Sequence, residues 1–368
     1  MRKSVNILVS GGGTGGHIFP AIAIANGLRV RIPEANILFV GAKGKMEMEK
    51  VPQAGYPIEG LWISGLQRKM NLQNVSFPIK LLSSLLKASS IISKFKPDVV
   101  IGTGGYASGP LLYIASKKKI PTLILEQNSY PGITNKLLGK TVRKVCVAYE
   151  GMGKYFPEDK ILITGSPIRK EINDLKATKE EGVEYFNINR DKTTILVIGG
   201  SQGALKINEA IGEQLDKIVK DNIQMIWQTG KASYTLAREY AERSPKRNFI
   251  KVMNFISRMD LAYAVADLVI SRAGAIAIAE IVAVNKPAIF IPLPTAAEDH
   301  QTKNAQELVK GKAAILVKEN EAKEVLAPVI NDLLAAGSNR LVMVQNLKRF
   351  KHPDATEKIV DEIIKMIN

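Results

Sequence analysis

In "VSGGGTGGHIFPAIAIANGL", Gly11, Gly13 and Gly16 stand between an apolar run and a helical pattern, and His17 follows them at once. Glycines at a helix start present backbone N–H groups to an anion, or let a substrate come very close to the chain. A tight turn that glycine merely permits is the structural alternative. A nucleotide-phosphate loop is excluded, because His17 and Ile18 occupy the places of the required Lys and Ser or Thr. The spacing also fits the G-x-G-x-x-G of dinucleotide folds. However, the second strand "ILFV" runs into Gly41 and Ala42, where a ribose-binding Asp or Glu belongs. What remains is an anion-accommodating loop that ends in an imidazole.

Further on, "GGSQGA" offers Ser201 and several amides to a phosphate at another helix start. "SRAGAIAIAE" turns at Gly274 and brings Glu280 about two helical turns in, where a carboxylate could accept two ribose hydroxyls. The alternative for Glu280 is an ordinary acid on a helix surface. "PLPTAAEDHQTKNAQEL" supplies Asp299, His300, Gln301 and Asn304, side chains suited to sugar hydroxyls. No Asp-x-Asp occurs, the three histidines are scattered and Cys146 stands alone, so no metal site is expected.

Positioning these groups requires elements that end in loops at a common edge. The chain repeats one grammar: a short β-branched apolar run, a glycine or proline turn, then a helical pattern. "VNILVS", "ANILFVG", "KPDVVIGTGG", "IPTLILEQN" and "VRKVCVAY" form one series. The pattern restarts at "DKTTILVIGGSQGA" and continues through "NIQMIWQTG", "RNFIKVMNFI", "ADLVISRAG" and "KPAIFIPLP". Short, fully apolar strands alternating with helices predict parallel sheets covered on both faces, with ligands at the strand C-termini. The expected fold is α/β, two doubly wound Rossmann-like domains in tandem. Their expected limits are 1–168 and 169–349, with a terminal amphipathic helix at 350–368 packing back on the N-terminal domain. In that helix Ile359, Ile363 and Met366 share a face.

The chain's 368 residues carry a net charge of +16. Residues 1–168 hold 22 Lys and Arg against 9 Asp and Glu, and the remainder 29 against 26. The excess in the first half suggests an anionic partner: nucleic acid, an anionic bilayer or a phosphorylated substrate. A solubility charge is the plainer alternative. No run reaches the roughly 18 apolar residues of a membrane span. The N-terminus reads as a first strand rather than a signal peptide, and a single cysteine suits a reducing cytoplasm.

"GGGTGGHIFPA", "GTGGYASGP", "EQNSYPGITNKLL", "GSPIRKE", "GGSQGA", "SRAGA" with Glu280, and "EDHQTKNA" occur here in that order. In this the chain resembles the MurG family of glycosyltransferases, in glycosyltransferase family 28, over nearly its whole length. The resemblance implies the GT-B fold, with two domains facing across a cleft. The implied reaction is inverting transfer of N-acetylglucosamine (GlcNAc) from UDP-GlcNAc to the C4 hydroxyl of N-acetylmuramic acid in lipid-linked muramyl-pentapeptide. That is the last cytoplasmic step of peptidoglycan precursor synthesis. UDP-GlcNAc would be a substrate, no cofactor would be obligatory, and the location would be peripheral, on the cytoplasmic face of the bacterial cell membrane.

By the same resemblance, Ser201 and its loop would meet a phosphate, and the backbone of Ile256 would bond the uracil. Ala275, Ile276, Ala277, Ile278 and Ala279 would line phosphate and ribose, Glu280 would hold the ribose hydroxyls and Gln301 the sugar. Asn128 and Arg169 would complete the donor site. Thr14, Gly15 and Gly16 would join it while shaping the acceptor side, together with Gly104, Gly105 and Tyr106. Relatives often carry a hydroxyl residue where Ala277 stands and a second Gln where Thr302 stands. A hydroxyl attacking a sugar C1 needs a proton acceptor, which a protonated lysine is not. His17 is therefore read as the general base, the alternative being a histidine that orients the loop or acceptor.

In the segment from Asn74 to Phe95, Leu81, Leu85, Ala88, Ile92 and Phe95 fall on one helical face. Ile79, Leu82 and Leu86 fall nearly opposite, flanked by Lys80 and Lys87. The first stripe is expected in the core. The second could enter a bilayer surface, with Arg68, Lys69 and Lys140 also meeting anionic lipid at about 1 kcal/mol per cation. A helix packed on both sides, or a dimer contact, is the alternative. The rival functions are a UDP-sugar epimerase of the same shape and a GT-B enzyme with another lipid acceptor. No nucleic-acid motif is present, so nucleic acid is not an expected partner.

Overall fold

The computed structural model describes residues 5–65, 76–199, 203–220 and 222–367. The chain divides into two compact units, one running through Arg169 and joined by the segment from Asp354, the other spanning Lys170–Pro353. Arg169 thus falls in the first unit rather than the second. The stretch after 349 stays with the second unit as far as Pro353. The ring of Phe350 lies against Gly311, where a Cβ would come within 2.7 Å of it, and Asn173 donates to the Pro353 carbonyl at 2.8 Å.

Seven parallel strands form the sheet of the first unit: β1 (Asn6–Ser10), β2 (Asn36–Ala42), β3 (Ile58–Leu61), β4 (Val99–Gly102), β5 (Thr122–Glu126), β6 (Lys144–Val147) and β7 (Ile161–Ile163). Their order is β3-β2-β1-β4-β5-β6-β7. Successive strand residues point to opposite faces. Ile7 and Val9 therefore enter one core layer with Phe39, Ile101 and Leu125, while Leu8 enters the other with Val40, Val100 and Ile124. Being apolar on both faces, these strands can only sit between helical layers. The helices of this unit include α1 (Gly15–Arg31), α2 (Glu47–Gln53), α3 (Phe77–Phe95), α4 (Ser108–Lys117) and α5 (Ile133–Gly139).

In the second unit six parallel strands run in the order β10-β9-β8-β11-β12-β13. They are β8 (Thr193–Ile198), β9 (Ile223–Gln228), β10 (Ile250–Met253), β11 (Leu268–Ser271), β12 (Ala288–Phe290) and β13 (Ile315–Leu316). The helices that bear on the site are α6 (Leu205–Glu213), α7 (Met259–Val265), α8 (Ala275–Ala283) and α9 (His300–Lys310). Trp227, fully buried on β9, donates its indole N–H to Asn208 on α6 at 2.9 Å, so the largest core side chain leaves no polar atom unmatched.

The chain ends in α10 (Ala355–Ile367), which lies in the first unit. Ile359, Val360, Ile363 and Met366 join the core layer that contains Ile7 and Val9. The helix lies against α1, where a Cβ on Gly27 would come within 2.9 Å of methyl groups on Thr356 and Val360. The missing side chain at Gly27 is what lets the two helices close.

Candidate active site

At the C-terminal end of β1, Gly13 adopts φ +84°, a conformation that favours glycine. Thr14 follows in extended backbone as the N-cap of α1, without a side-chain capping bond, and no acidic residue occupies the first turn. Helix-start amides and the positive end of the helix dipole are left for an anion. His17 lies one turn in and is half-buried. Its Nδ1 lies 3.1 Å from the carbonyl oxygen of Gly12 and 3.5 Å from the Thr14 hydroxyl. A carbonyl oxygen can only accept, so this bond requires the proton on Nδ1, and in that neutral tautomer Nε2 is the basic nitrogen.

The loop after β4 closes on this histidine. Gly104 (φ +106°) and Gly105 (φ +90°) are both left-handed. A Cβ at Gly104 would come within 2.6 Å of the imidazole Cδ2, and one at Gly105 within 2.3 Å of the Gly12 oxygen. Thr103 donates its hydroxyl to the His17 carbonyl at 2.7 Å. The Tyr106 ring lies on Gly65, where a Cβ would meet it at 2.3 Å, and its edge would be 3.9 Å from a Cβ at Gly13. His17, Thr14, Gly15, Gly16, Gly104, Gly105 and Tyr106 are thus gathered at one sheet edge. The loop after β5 ends there as well. Glu126, buried at the end of that strand, accepts from Asn128 N and Nδ2 through one oxygen and from Gly132 N and Asn135 Nδ2 through the other, at 2.9–3.1 Å. Burial pushes its carboxyl above the usual range, and these donors pull it back. Asn128 owes its position to that carboxylate. Arg169 is half-buried at the end of this unit's first segment.

The second unit gathers its own set at the strand C-termini. Ser201 lies outside the described residues. Ala275 opens α8 behind Gly274, an extended N-cap with no side-chain bond, so the amides of Ala275, Ile276 and Ala277 are presented as a helix start. Ile278 packs into the core and Ala279 is half-buried. Glu280 is only 6% exposed and accepts from the Tyr263 hydroxyl on α7 at 3.2 Å, so it is not a surface acid. The amide of Ile256 is already engaged, donating to Oε1 of buried Gln228 at 2.9 Å. Gln301 accepts from the Leu293 amide at 3.0 Å, which fixes its carboxamide at the start of α9. Just before it, Glu298 and Asp299 take φ values of +55° and +52°, a strain of order 1–3 kcal/mol each. Lys303 holds this turn by donating to the Glu298 carbonyl at 2.8 Å. Asn304 is fully buried, and its Nδ2 reaches the Ala273 carbonyl at 3.4 Å.

On α3, Ala88 and Ile92 are buried in the core, with Leu81 and Phe95 packed against it. Ile79, Leu82 and Leu86 are 63%, 60% and 66% exposed. Lys80 is half-buried, its ammonium 5.9 Å from the centre of the Trp62 ring. Lys87 pairs with Glu59 at 2.8 Å, so its charge is shared with an acid of β3. Lys140 is exposed just beyond α5. Arg68 and Lys69 lie outside the described residues. No helix among the described residues is long and apolar enough to cross a membrane, and none of their His, Cys, Asp or Glu groups has three members placed to hold a metal ion.

Four contributors escaped the sequence reading: Glu47, Glu126, Gln228 and Tyr263. Glu47, at the start of α2, is fully buried and accepts from the Gly13 amide at 2.9 Å. It lies five residues beyond the end of β2, where an acid appeared to be missing.

Two parallel, doubly wound α/β units, each with glycine turns and helix starts at its strand C-termini, have the architecture of the GT-B class, and the family models make the chain a glycosyltransferase. The glycosyltransferase family 28 N-terminal domain matches residues 7–147 and its C-terminal domain residues 194–359. The UDP-N-acetylglucosamine–N-acetylmuramyl-(pentapeptide) pyrophosphoryl-undecaprenol N-acetylglucosamine transferase of Flavobacterium psychrophilum is 53% identical over 99% of this chain and 98% of its own. The enzyme of that name from Christiangramia forsetii is 49% identical over 100% of this chain and 99% of its own. The crystal structure of Acinetobacter baumannii MurG superposes with a TM-score of 0.79 at 29% identity, covering 98% of this chain and 99% of that one. The chain belongs to the MurG family within glycosyltransferase family 28.

Proposed function

We propose that this chain moves GlcNAc from UDP-GlcNAc to the C4 hydroxyl of the muramyl sugar in undecaprenyl-pyrophosphoryl-muramyl-pentapeptide, inverting the donor C1. The observation that carries this reading is end-to-end identity of 53% to a transferase of that name. The site chemistry agrees with it. His17 Nε2 takes the proton of the C4 hydroxyl as its oxygen attacks C1. The bond from C1 to the diphosphate breaks, and its electron pair leaves on UDP. In the second unit the developing charge is met by the first-turn amides of α8, an exposed helix start contributing roughly 0.3–1 kcal/mol. Glu280 takes the ribose hydroxyls and Gln301 the sugar. Uracil binding through Ile256 requires its amide to exchange Gln228 for the base, or the base to use the carbonyl alone. Base assistance of this kind is worth about 10²–10⁴ in rate.

The acceptor is a lipid, and α3 supports a surface to meet it. Ile79, Leu82 and Leu86 enter the bilayer boundary while Lys80, Lys140 and the basic excess of the first 168 residues face anionic headgroups on the cytoplasmic side. Lys87 contributes less, being paired with Glu59. The test is incubation with labelled UDP-GlcNAc and a short-chain lipid-linked muramyl-pentapeptide in the presence of EDTA. Label in the lipid product is expected. Conversion of the UDP-sugar without any acceptor would instead favour the epimerase.

A further inference from the structure

The peptide group between Gly12 and Gly13 is hydrogen-bonded at both ends. Its carbonyl accepts from Nδ1 of His17 at 3.1 Å, and its N–H donates to Oε2 of Glu47 at 2.9 Å. The other oxygen of Glu47 accepts from the Ala42 amide at 2.9 Å, and the side chain is fully buried. The fit around it is close. A Cβ at Gly12 would come within 2.1 Å of the carboxylate, and one at Gly41 within 2.5 Å of its Cγ.

We propose that Glu47 is a positioning residue for the transfer. Its carboxylate, acting through this one peptide group, holds His17 in the Nδ1–H tautomer and stabilises the imidazolium formed when Nε2 takes the acceptor's proton. This rests on the reading of His17 as the base. An anion that accepts the peptide N–H draws electron density toward the carbonyl oxygen, which becomes a stronger acceptor for Nδ1–H, as chains of hydrogen bonds polarise one another. When the ring gains its positive charge, the polarised carbonyl faces it and the carboxylate lies one peptide beyond. Nothing crosses the peptide. Nδ1–H stays on the ring, Glu47 stays as it was, and the single transferred proton rests on Nε2. Hydrolytic triads place the orienting carboxylate directly on the imidazole. Here the glycine loop, needed for close substrate approach, lies between the two, and its own backbone makes the connection.

The chain has three histidines, so ¹⁵N NMR of histidine- and glycine-labelled protein can resolve His17. In the unaltered protein, Nδ1 is expected to be protonated and Nε2 pyridine-like, with the Gly13 amide shifting as His17 titrates. Glu47→Gln keeps the shape but turns an NH2 group toward one of the two amides. It is expected to raise the Nε2–H population and lower kcat about 10–100-fold, the size of loss seen when the outer partner of a metal-bound histidine is removed, with KM for UDP-GlcNAc unchanged. An Nε2–H tautomer in the unaltered protein overturns the proposal, as does Glu47→Gln with unaltered tautomer and kcat. Should that variant not fold, the unaltered spectrum still decides. A fully active His17→Ala enzyme would remove the base reading instead, leaving the tautomer result to stand alone.

Discussion

A carbonyl oxygen has no proton to give, so a hydrogen bond from His17 to Gly12 requires the proton on Nδ1 and leaves Nε2 as the basic nitrogen. The space for that ring is made by a residue without a side chain. Gly104→Ala would need both a disfavoured φ and a methyl 2.6 Å from Cδ2, so kcat should fall while the folded circular dichroism is retained. Glu126 sets a similar test. Gln at that position would oppose donors with an NH2 group, and urea unfolding should show a loss of about 1–3 kcal/mol. Cys146 is fully buried, and burial pushes its thiol far up, so a thiol reagent should leave the native protein unmodified and react once it is unfolded. The glycine turn was legible because few other residues satisfy it, and His17 because it stands where a phosphate loop has lysine. Glu47 was not, since "KMEMEK" holds two glutamates of the same local character. Only the folded turn after β2 buries Glu47 entirely and leaves the Glu49 side chain 65% exposed.

Strands and helices were read more completely, because burial imposes a period on them. The two stripes of α3 separate as a repeat of 3.6 residues requires, with Ala88 and Ile92 inside and Leu82 and Leu86 out. The ion pair of Lys87 with Glu59 joins α3 to β3 across a distance in sequence that no periodicity reports. If the outer stripe is the membrane face, Leu82→Glu/Leu86→Glu should lose flotation with anionic vesicles at low salt. Equal flotation of the variant and the unaltered protein would contradict that role. The backbone partner of Ile256 was also hidden, since Gln228 lies 28 residues away and meets it only through the pairing of β9 with β10.

At the scale of the whole chain, the two-series grammar of strand, turn and helix made the parallel sheets legible, while the terminal segment's length in each unit was decided by single contacts such as Phe350 on Gly311. The last helix is part of a core, with Ile363 fully buried. Ile363→Ala should therefore destabilise the first unit by about 2–5 kcal/mol in denaturant titration. All these parts serve one reaction, and the most direct measurement of it compares the unaltered enzyme with His17→Ala at saturating UDP-GlcNAc and a short-chain lipid-linked muramyl-pentapeptide. The account predicts label in the lipid product, with kcat of the variant lower by about 10²–10⁴ and donor binding intact. Equal rates for the two proteins would contradict the base assignment, and no lipid product from either would contradict the transfer itself.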